Sequence, residues 1–337
     1  MGKKILTLFG ILVVSLVFFF HRASLPHQLE SSYTEVFEYK SLINNDLSDT
    51  LSIVTYNIGF LSGMANNEPV QTEEGFYAGN QANAVTLFQE IKPSIMGFQE
   101  IDFASKRSYY YNQLDSLGHK LGFGYGAKSV NWDKGYVPFP YWPPAVHYGK
   151  MLSGQGVLSR FPILSNERIV LERPDNPWYY DRFYIDRLIQ VVHLDLGEDT
   201  LVVMNIHLEA WNEETRRNQA KVVLDTYREY VQDHPVILLG DFNDEPAYDP
   251  MEGEAPSIME LFENEPRMTS AITKEEYMVS PDQYHTFDSS EPVYMIDYIF
   301  YSDQIQKISS RVLNEAGTIS DHLPVYLEFV ITDGSEN

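Results

Sequence analysis

The sequence predicts an α/β fold, and three features predict it. Short apolar runs rich in β-branched residues recur along the chain and read as strands buried on both faces, Val236-Ile237-Leu238-Leu239 being the plainest. The first two of these runs are separated by an amphipathic segment, the strand–helix–strand spacing of an α/β layer. The 337 residues are 44% hydrophobic and 14% aromatic, which suits a substantial core.

Lys3 and Lys4 precede an apolar run from Ile5 to Phe20, and His21 and Arg22 close it. Residues 1–22 therefore read as a signal peptide or an uncleaved signal anchor, with a run slightly short of the ~20 residues a spanning helix needs. Phe19 to Ala23 is bulky until its last residue and offers no clear cleavage site. The expectation is an anchor, lysines inside and the rest exported; cleavage would make the protein secreted. Residues 23–48 are polar and aperiodic and read as a linker, leaving 49–333 as the folded domain. With no cysteine, disulfides, zinc–thiolate sites, a cysteine nucleophile and lipid attachment through an N-terminal cysteine are excluded. A formal net charge of −24 repels phosphate backbones and disfavours non-specific duplex binding.

In chain order, Leu51 to Asn57 alternates as a strand does, and residues 61–79 form a loop. Asn80 to Ile91 is a helix stopped by Pro93, and Ser94 to Glu100 a second strand. Ser105 to Leu121 reads as helical and Phe123 to Ser129 as a strand. Asn131 to Tyr148 is a loop crowded with aromatics and prolines, either a stiffened cover over the sheet or a rim that grips substrate or a membrane interface. Gly156–Arg160 and Pro162–Leu164 read as paired strands, and so do Asp186–Leu194 and Leu201–Leu208 across a Gly197-Glu198-Asp199 turn. Trp211 to Val231 is a long amphipathic helix. An acidic, proline-containing stretch follows, with a helix near Ser257–Phe262. Tyr294 to Tyr301 is a strand with Asp297 in its apolar middle, and a closing strand reaches Val330.

The strands share an ending: apolar residues, then an acid, amide or imidazole. Asn57, Glu100, His207, Asp241, Asn243, Asp297, Asp321 and His322 form the set. The first residues past a buried strand are fixed by its pairing yet reach an open edge, so oxygens there are preorganised. Hard oxygen ligands suit Mg²⁺ or Mn²⁺, and histidines beside buried acids suit acid–base work near neutral pH. Singly, each has an ordinary reading: Gly, Asp and Asn are turn formers, and a lone histidine is commonly a satisfied core residue.

Together the residues carry a resemblance. Tyr56-Asn57, Gln99-Glu100, Asn205-Ile206-His207-Leu208, Gly240-Asp241-Phe242-Asn243, Ile296-Asp297-Tyr298-Ile299 and Ser320-Asp321-His322-Leu323-Pro324 resemble, in order, the motif series of the endonuclease/exonuclease/phosphatase superfamily. The resemblance spans residues 51–330. It implies a four-layer α/β sandwich, two mostly antiparallel mixed sheets packed face to face with helices outside, and Mg²⁺-dependent cleavage of phosphoester bonds. It further implies Glu100 as principal metal ligand, with Asn57 and Asp321 beside the metal. Asp241 and Asn243 would position the attacking water and the phosphate, and Asp297 would orient His322 as the catalytic histidine. His207 would stabilise charge on the phosphate and is a candidate proton donor to the leaving group. A histidine in that context is more like the sphingomyelinase, deoxyribonuclease I and inositol-phosphatase branches than the abasic-site endonucleases.

Export, an anchor, strong negative charge and the aromatic loop favour a membrane phospholipid over nucleic acid, acted on by a monomer. The sphingomyelinase resemblance lacks a paired-aromatic hairpin near the C-terminus. Two alternatives are an extracytoplasmic nuclease and a non-catalytic binding module on the same fold.

Overall fold

The structure, a computed structural model, describes residues 2–39, 50–249 and 256–332. Its strands are β1 (Thr34–Glu38), β2 (Leu51–Asn57), β3 (Ile95–Asp102), β4 (Tyr125–Val137), β5 (Gly149–Ser159), β6 (Ile163–Val170), β7 (Leu188–Asp195), β8 (Thr200–His207), β9 (Val236–Asp241), β10 (Met268–Ser270), β11 (Asp297–Ser302), β12 (Ile305–Val312) and β13 (Val325–Ile331). Helices are α1 (Gly2–Ser24), α2 (Glu74–Ile91), α3 (Gln113–Leu121), α4 (Trp178–Asp181), α5 (Glu213–Tyr230), α6 (Met259–Glu263) and α7 (Lys274–Val279).

Among the described residues the strands form two mixed sheets, ordered β1-β4-β5-β3-β2-β13-β12 and β10-β11-β9-β8-β7-β6. Only β2–β3 and β8–β9 pair in parallel, at the middle of each sheet. A parallel pair needs a long crossover, and α2 and α5 supply the two. The buried residues of α2, Tyr77, Gln81, Ala84, Leu87 and Phe88, fall at helical spacing and give it one inward stripe. In α5 the same pattern runs through Ala220, Val223, Leu224 and Tyr227. The sheets pack face to face with little room: a Cβ on Gly97 of β3 would meet Leu239 Cδ1 of β9 at 2.5 Å. Between them a buried polar knot replaces the apolar filling at one point. Asn205 accepts from Gln99 Nε2 (2.6 Å) and donates to Phe98 O (3.0 Å) and Gln190 Oε1 (3.0 Å).

Several expectations change. Gly156–Arg160 and Pro162–Leu164 are not partners: β5 pairs with β3 and β4, whereas β6 pairs with β7 in the other sheet. The chain changes sheets at Arg160–Pro162, which short-range sequence pattern does not reveal. Much of the aromatic loop is strand, since β4 runs on to Val137 past an irregularity at Val130–Trp132. Residues 105–112 form turns rather than the first half of α3, whose N-cap is Asn112. Asp297 opens β11 instead of sitting in its middle. Finally, residues 23–39, read as part of a linker, are held down: β1 pairs antiparallel with β4, Thr34 opposite Ser129 through Glu38 opposite Tyr125. Residues 40–48 of that reading, and 333, lie outside the described residues.

Candidate active site

Parallel pairing of β8 and β9 sets His207 opposite Asp241, and β9–β11 pairing sets Asp241 opposite Asp297. Register alone thus lines up three functional side chains at one sheet edge. In the facing sheet, parallel β2–β3 pairing puts Asn57 beside Gln99 and brings Glu100 to the same rim. Glu100 sits where the β3–β5 register slips, with φ of 50°, and Asn243 also adopts positive φ (52°). Left-handed backbone costs a non-glycine residue about 1–2 kcal/mol, so the packed sheets must impose both conformations. Gly59, at φ of 50°, lets Asp321 approach: a Cβ there would meet Asp321 Oδ1 at 2.6 Å.

Two groups of side chains result. In the first, His322 Nδ1 donates to Asp297 Oδ2 at 2.9 Å, and Nε2 faces Asp241 Oδ2 at 3.8 Å. Asn57 Nδ2 donates to the same Asp241 oxygen at 2.8 Å, and Asn243 N to Asp241 Oδ1 at 2.9 Å. His207 Nε2 lies 3.4 Å from Asp241 Oδ2 and 4.0 Å from Glu100 Oε1. In the second, Glu100 and Asp321 flank one amide: Asn66 Nδ2 is 3.0 Å from Glu100 Oε2 and 3.0 Å from Asp321 Oδ2.

Burial and close charges set the protonation states. Burial would lower the His322 pKa, but Asp297 and Asp241 lift it well above 6.5. His207 goes the other way: burial, then the Arg187 charge, hold it well below 6.5 and therefore neutral. Asp241 rises to about 7, chiefly through burial, although the His322 charge opposes the rise. Glu100 is raised by burial and by the neighbouring Asp321.

Asp241, Asp297 and His322 each offer an atom within 4.8 Å of the others, spacing that could hold a metal ion. An N–H donor already approaches two members of that trio. Asn57 Nδ2 points at Asp241 and comes within 3.4 Å of His322 Nε2, while Asn57 Oδ1 accepts from Gly59 N. The trio is better suited to moving a proton. Asn57, expected beside the metal, donates through Nδ2 to Asp241. The Glu100–Asp321 pair fits a divalent cation better. Two half-buried carboxylates repel, a cation relieves that repulsion, and Oδ1 of Asn66, whose Nδ2 lies between them, has no hydrogen-bond partner. Turning that amide over would present a third oxygen.

Glu100, His207, Asp241, Asn243, Asp321 and His322 line a cavity of about 1530 Å³, with Asn57 and Asp297 supporting them from behind. Three contributors escaped sequence reading. Asn66 lies in a loop with no periodic signal. Arg187, next to β7 Leu188 which pairs with His207, lines the cavity with Nε and Nη1 lacking hydrogen bonds. Its nearest counter-charge is Glu209, 3.7 Å from Nε. The third is the aromatic stretch Trp178-Tyr179-Tyr180 of α4, which shares the rim with Tyr141.

Known proteins share this framework. An endonuclease/exonuclease/phosphatase from Beutenbergia cavernae superposes with TM-score 0.59 at 19% identity, covering 84% of this chain and 72% of that one. The human Nocturnin catalytic domain gives 0.57 at 18%, covering 91% and 99%. A mannosyl-6-phosphatase from Bacteroides thetaiotaomicron gives 0.56 at 18%, covering 83% and 100%. At such identities the likeness shows the fold. No curated protein matches the chain. The sequence match runs through residues 54–322, most of the chain and all of the site, and on that match the protein belongs to the Endonuclease/Exonuclease/phosphatase family, whose members hydrolyse phosphoester bonds.

Proposed function

We propose that the protein is a Mg²⁺-dependent phosphodiesterase that hydrolyses a membrane phospholipid, with Mn²⁺ as a substitute ion. The observation that carries this reading is the cavity itself: an acid–base relay and a carboxylate pair at its floor, aromatic side chains and the apolar α1 at its rim. A phosphodiester is charged and its lipid chains are not, so a polar floor under an apolar rim matches both ends of one molecule.

Glu100 and Asp321, with Asn66 turned, would hold the ion, which when bound supplies positive charge against the phosphate and leaving oxygens. Asp297 keeps the proton on His322 Nδ1, so neutral His322 presents the Nε2 lone pair toward the cavity. Nε2 accepts a proton from water as the water attacks phosphorus in line with the leaving oxygen. Asp241 orients that water. One P–O bond forms and one breaks, and His322 holds the proton until solvent or the leaving alkoxide takes it. His207, held neutral by burial and the Arg187 charge, would give a hydrogen bond to a phosphate oxygen. Arg187 adds the nearby positive charge, with donors unspent.

The test is to incubate the full chain and Mg²⁺ with vesicles of choline- or ethanolamine-headed phospholipid and, separately, with plasmid DNA. Release of the headgroup in phosphorylated form, or of its lipid counterpart, with intact DNA is expected. Nicked DNA and uncut lipid would make the protein a nuclease instead. EDTA should silence either reaction.

A further inference from the structure

Lys3–Ser24 is the one described helix long and apolar enough to cross a membrane. Its first part is exposed, but its end is built into the domain. Phe19 meets Tyr136 with ring centroids 5.5 Å apart, and Phe20 meets Trp178 at 5.6 Å and Phe183 at 5.3 Å. Ala23 and Ser24 are buried. Beyond them, Gly135 N donates to Leu25 O. The buried Asp133 carboxylate then accepts from the backbone N–H groups of His27 (2.9 Å) and Gln28 (2.8 Å) and from the Tyr33 hydroxyl (3.3 Å). β1 follows at once, paired with β4. These contacts make the segment after the helix a strut, not a tether.

The strut fixes where the cavity faces. Leu16, Phe19 and Phe20 line the same cavity as Glu100 and His322. Phe19 and Phe20 lie about one turn before Ser24, some 6–8 Å along the axis at ~1.5 Å per residue. Tyr136 and Trp178 therefore stand level with the last turn of the apolar helix, the depth of a bilayer's headgroup zone, where Trp and Tyr concentrate in membrane proteins. Large aromatic side chains at this rim, and Trp142 next to the lining residue Tyr141, stay mostly exposed among the described residues: Trp142 is 76% exposed, Trp178 70%, Trp211 84% and Tyr179 55%. Three of the four tryptophans are thus spent on open surface, one of them against the apolar helix, at a cost in solubility that a membrane would remove.

We propose that α1 and the collar of Tyr141, Trp142, Trp178, Tyr179 and Trp211 form one membrane-seating surface, which lays the cavity mouth against the bilayer holding α1, so that lipid enters from that same bilayer. The seating rests on the strut and collar alone; only the identity of the cleaved lipid rests on the function proposed above. Because the strut is rigid, the mouth cannot swing round to a second membrane. Phospholipid in the enzyme's own bilayer is the substrate pool, and soluble polyanions must approach past a surface of like charge.

The test uses the full chain in phosphatidylcholine vesicles whose acyl chains carry bromine near the headgroup. The collar tryptophans should be quenched by the bromines and shielded from aqueous iodide. Trp142→Phe, Trp178→Phe and Trp211→Phe should each remove part of the quenchable emission. Tryptophans that escape bromine and remain open to iodide would overturn the seating surface, whether or not lipid is cleaved. Substrate lipid should be hydrolysed at least tenfold faster in the protein's own vesicles than in a second, protein-free population; equal rates would overturn entry from the same bilayer. Bromine quenching with no lipid cleaved would uphold the seating and defeat only the substrate assignment.

Discussion

His322 is poised by two carboxylates of different duty. Asp297, 2.9 Å from Nδ1, fixes the tautomer, and Asp241 faces Nε2 from 3.8 Å. Both raise the imidazole pKa well above 6.5 against the pull of burial. A base works only when deprotonated, so the acid limb of kcat/KM should lie above pH 6.5. Asp297→Asn removes the carboxylate with the larger effect on His322, and a pH–rate profile should show that limb moving down while the plateau falls. A limb that stays put would mean another group titrates. The same shift bears on stability: protonated His322 supports the fold fully below its ordinary value of 6.5, and that support fades as pH rises through its elevated folded pKa. His322→Ala should cost about 10²–10⁴-fold in kcat, the usual share of a general base, and should also lower the melting temperature, because Asp297 is left buried without its partner. Arg187→Ala should raise KM for a soluble phosphodiester more than it lowers kcat, because its donors wait for an anion already charged in the ground state. At this scale the sequence was informative wherever a polar side chain adjoins a buried apolar run: Glu100 within β3, Asp241 at the end of β9 and His322 just before β13. It was silent on Asn66 and Arg187, whose importance comes from single atoms left without a hydrogen bond, Asn66 Oδ1 and Arg187 Nε and Nη1, and that is visible only in three dimensions. Nor could it foresee that His207 would be held neutral, since the Arg187 charge beside it arrives from another strand.

The strands do the positioning, and the two parallel pairs matter most. β8–β9 and β2–β3 each end at the cavity floor, one in each sheet, and the knot of Asn205, Gln99 and Gln190 pins the sheets directly behind it. Asn205→Leu keeps the volume but takes one partner each from the Gln99 and Gln190 amides and from Phe98 O. Each buried polar group left unpaired costs about 1–3 kcal/mol, so a loss of about 2–5 kcal/mol in chemical denaturation is expected. A near-neutral result would mean that water replaces the amide. Strand position along the chain was legible from apolar runs, because β2, β3, β8 and β9 are buried on both faces. Sheet membership was not: β5 and β6 are adjacent in sequence yet belong to opposite sheets. β12 escaped notice because an edge strand with the sequence Gln306-Lys307-Ile308-Ser309-Ser310-Arg311 carries little apolar signal.

Over the whole molecule, charge and shape act together. A net charge of −24 opposes anionic substrates by a force that salt screens over about 10 Å at 0.1 M. Hydrolysis of a zwitterionic phospholipid should therefore exceed that of an anionic one at low salt, and the gap should narrow between about 20 and about 200 mM salt; a ratio indifferent to salt would confine the preference to the pocket. The resemblance carried by six separated motifs gave the sandwich and the membership of the family, because register and parallel crossovers bring their ends to one rim. The docking of residues 23–39 was hidden, since hydrogen bonds from backbone N–H groups to Asp133 leave no trace in composition. Folding brings Glu100 and Asp321 to the cavity that His322 also lines, and under the proposed function these two carboxylates hold a divalent cation there. Turnover of a soluble phosphodiester, measured as Mg²⁺ is titrated into metal-stripped protein, tests that most directly. The wild type should go from silent to active, and Glu100→Gln should need at least tenfold more Mg²⁺ for half-maximal rate. His322→Ala should stay nearly inactive at saturating Mg²⁺. Turnover in EDTA, or a Glu100→Gln variant with the wild-type Mg²⁺ requirement, would contradict the account.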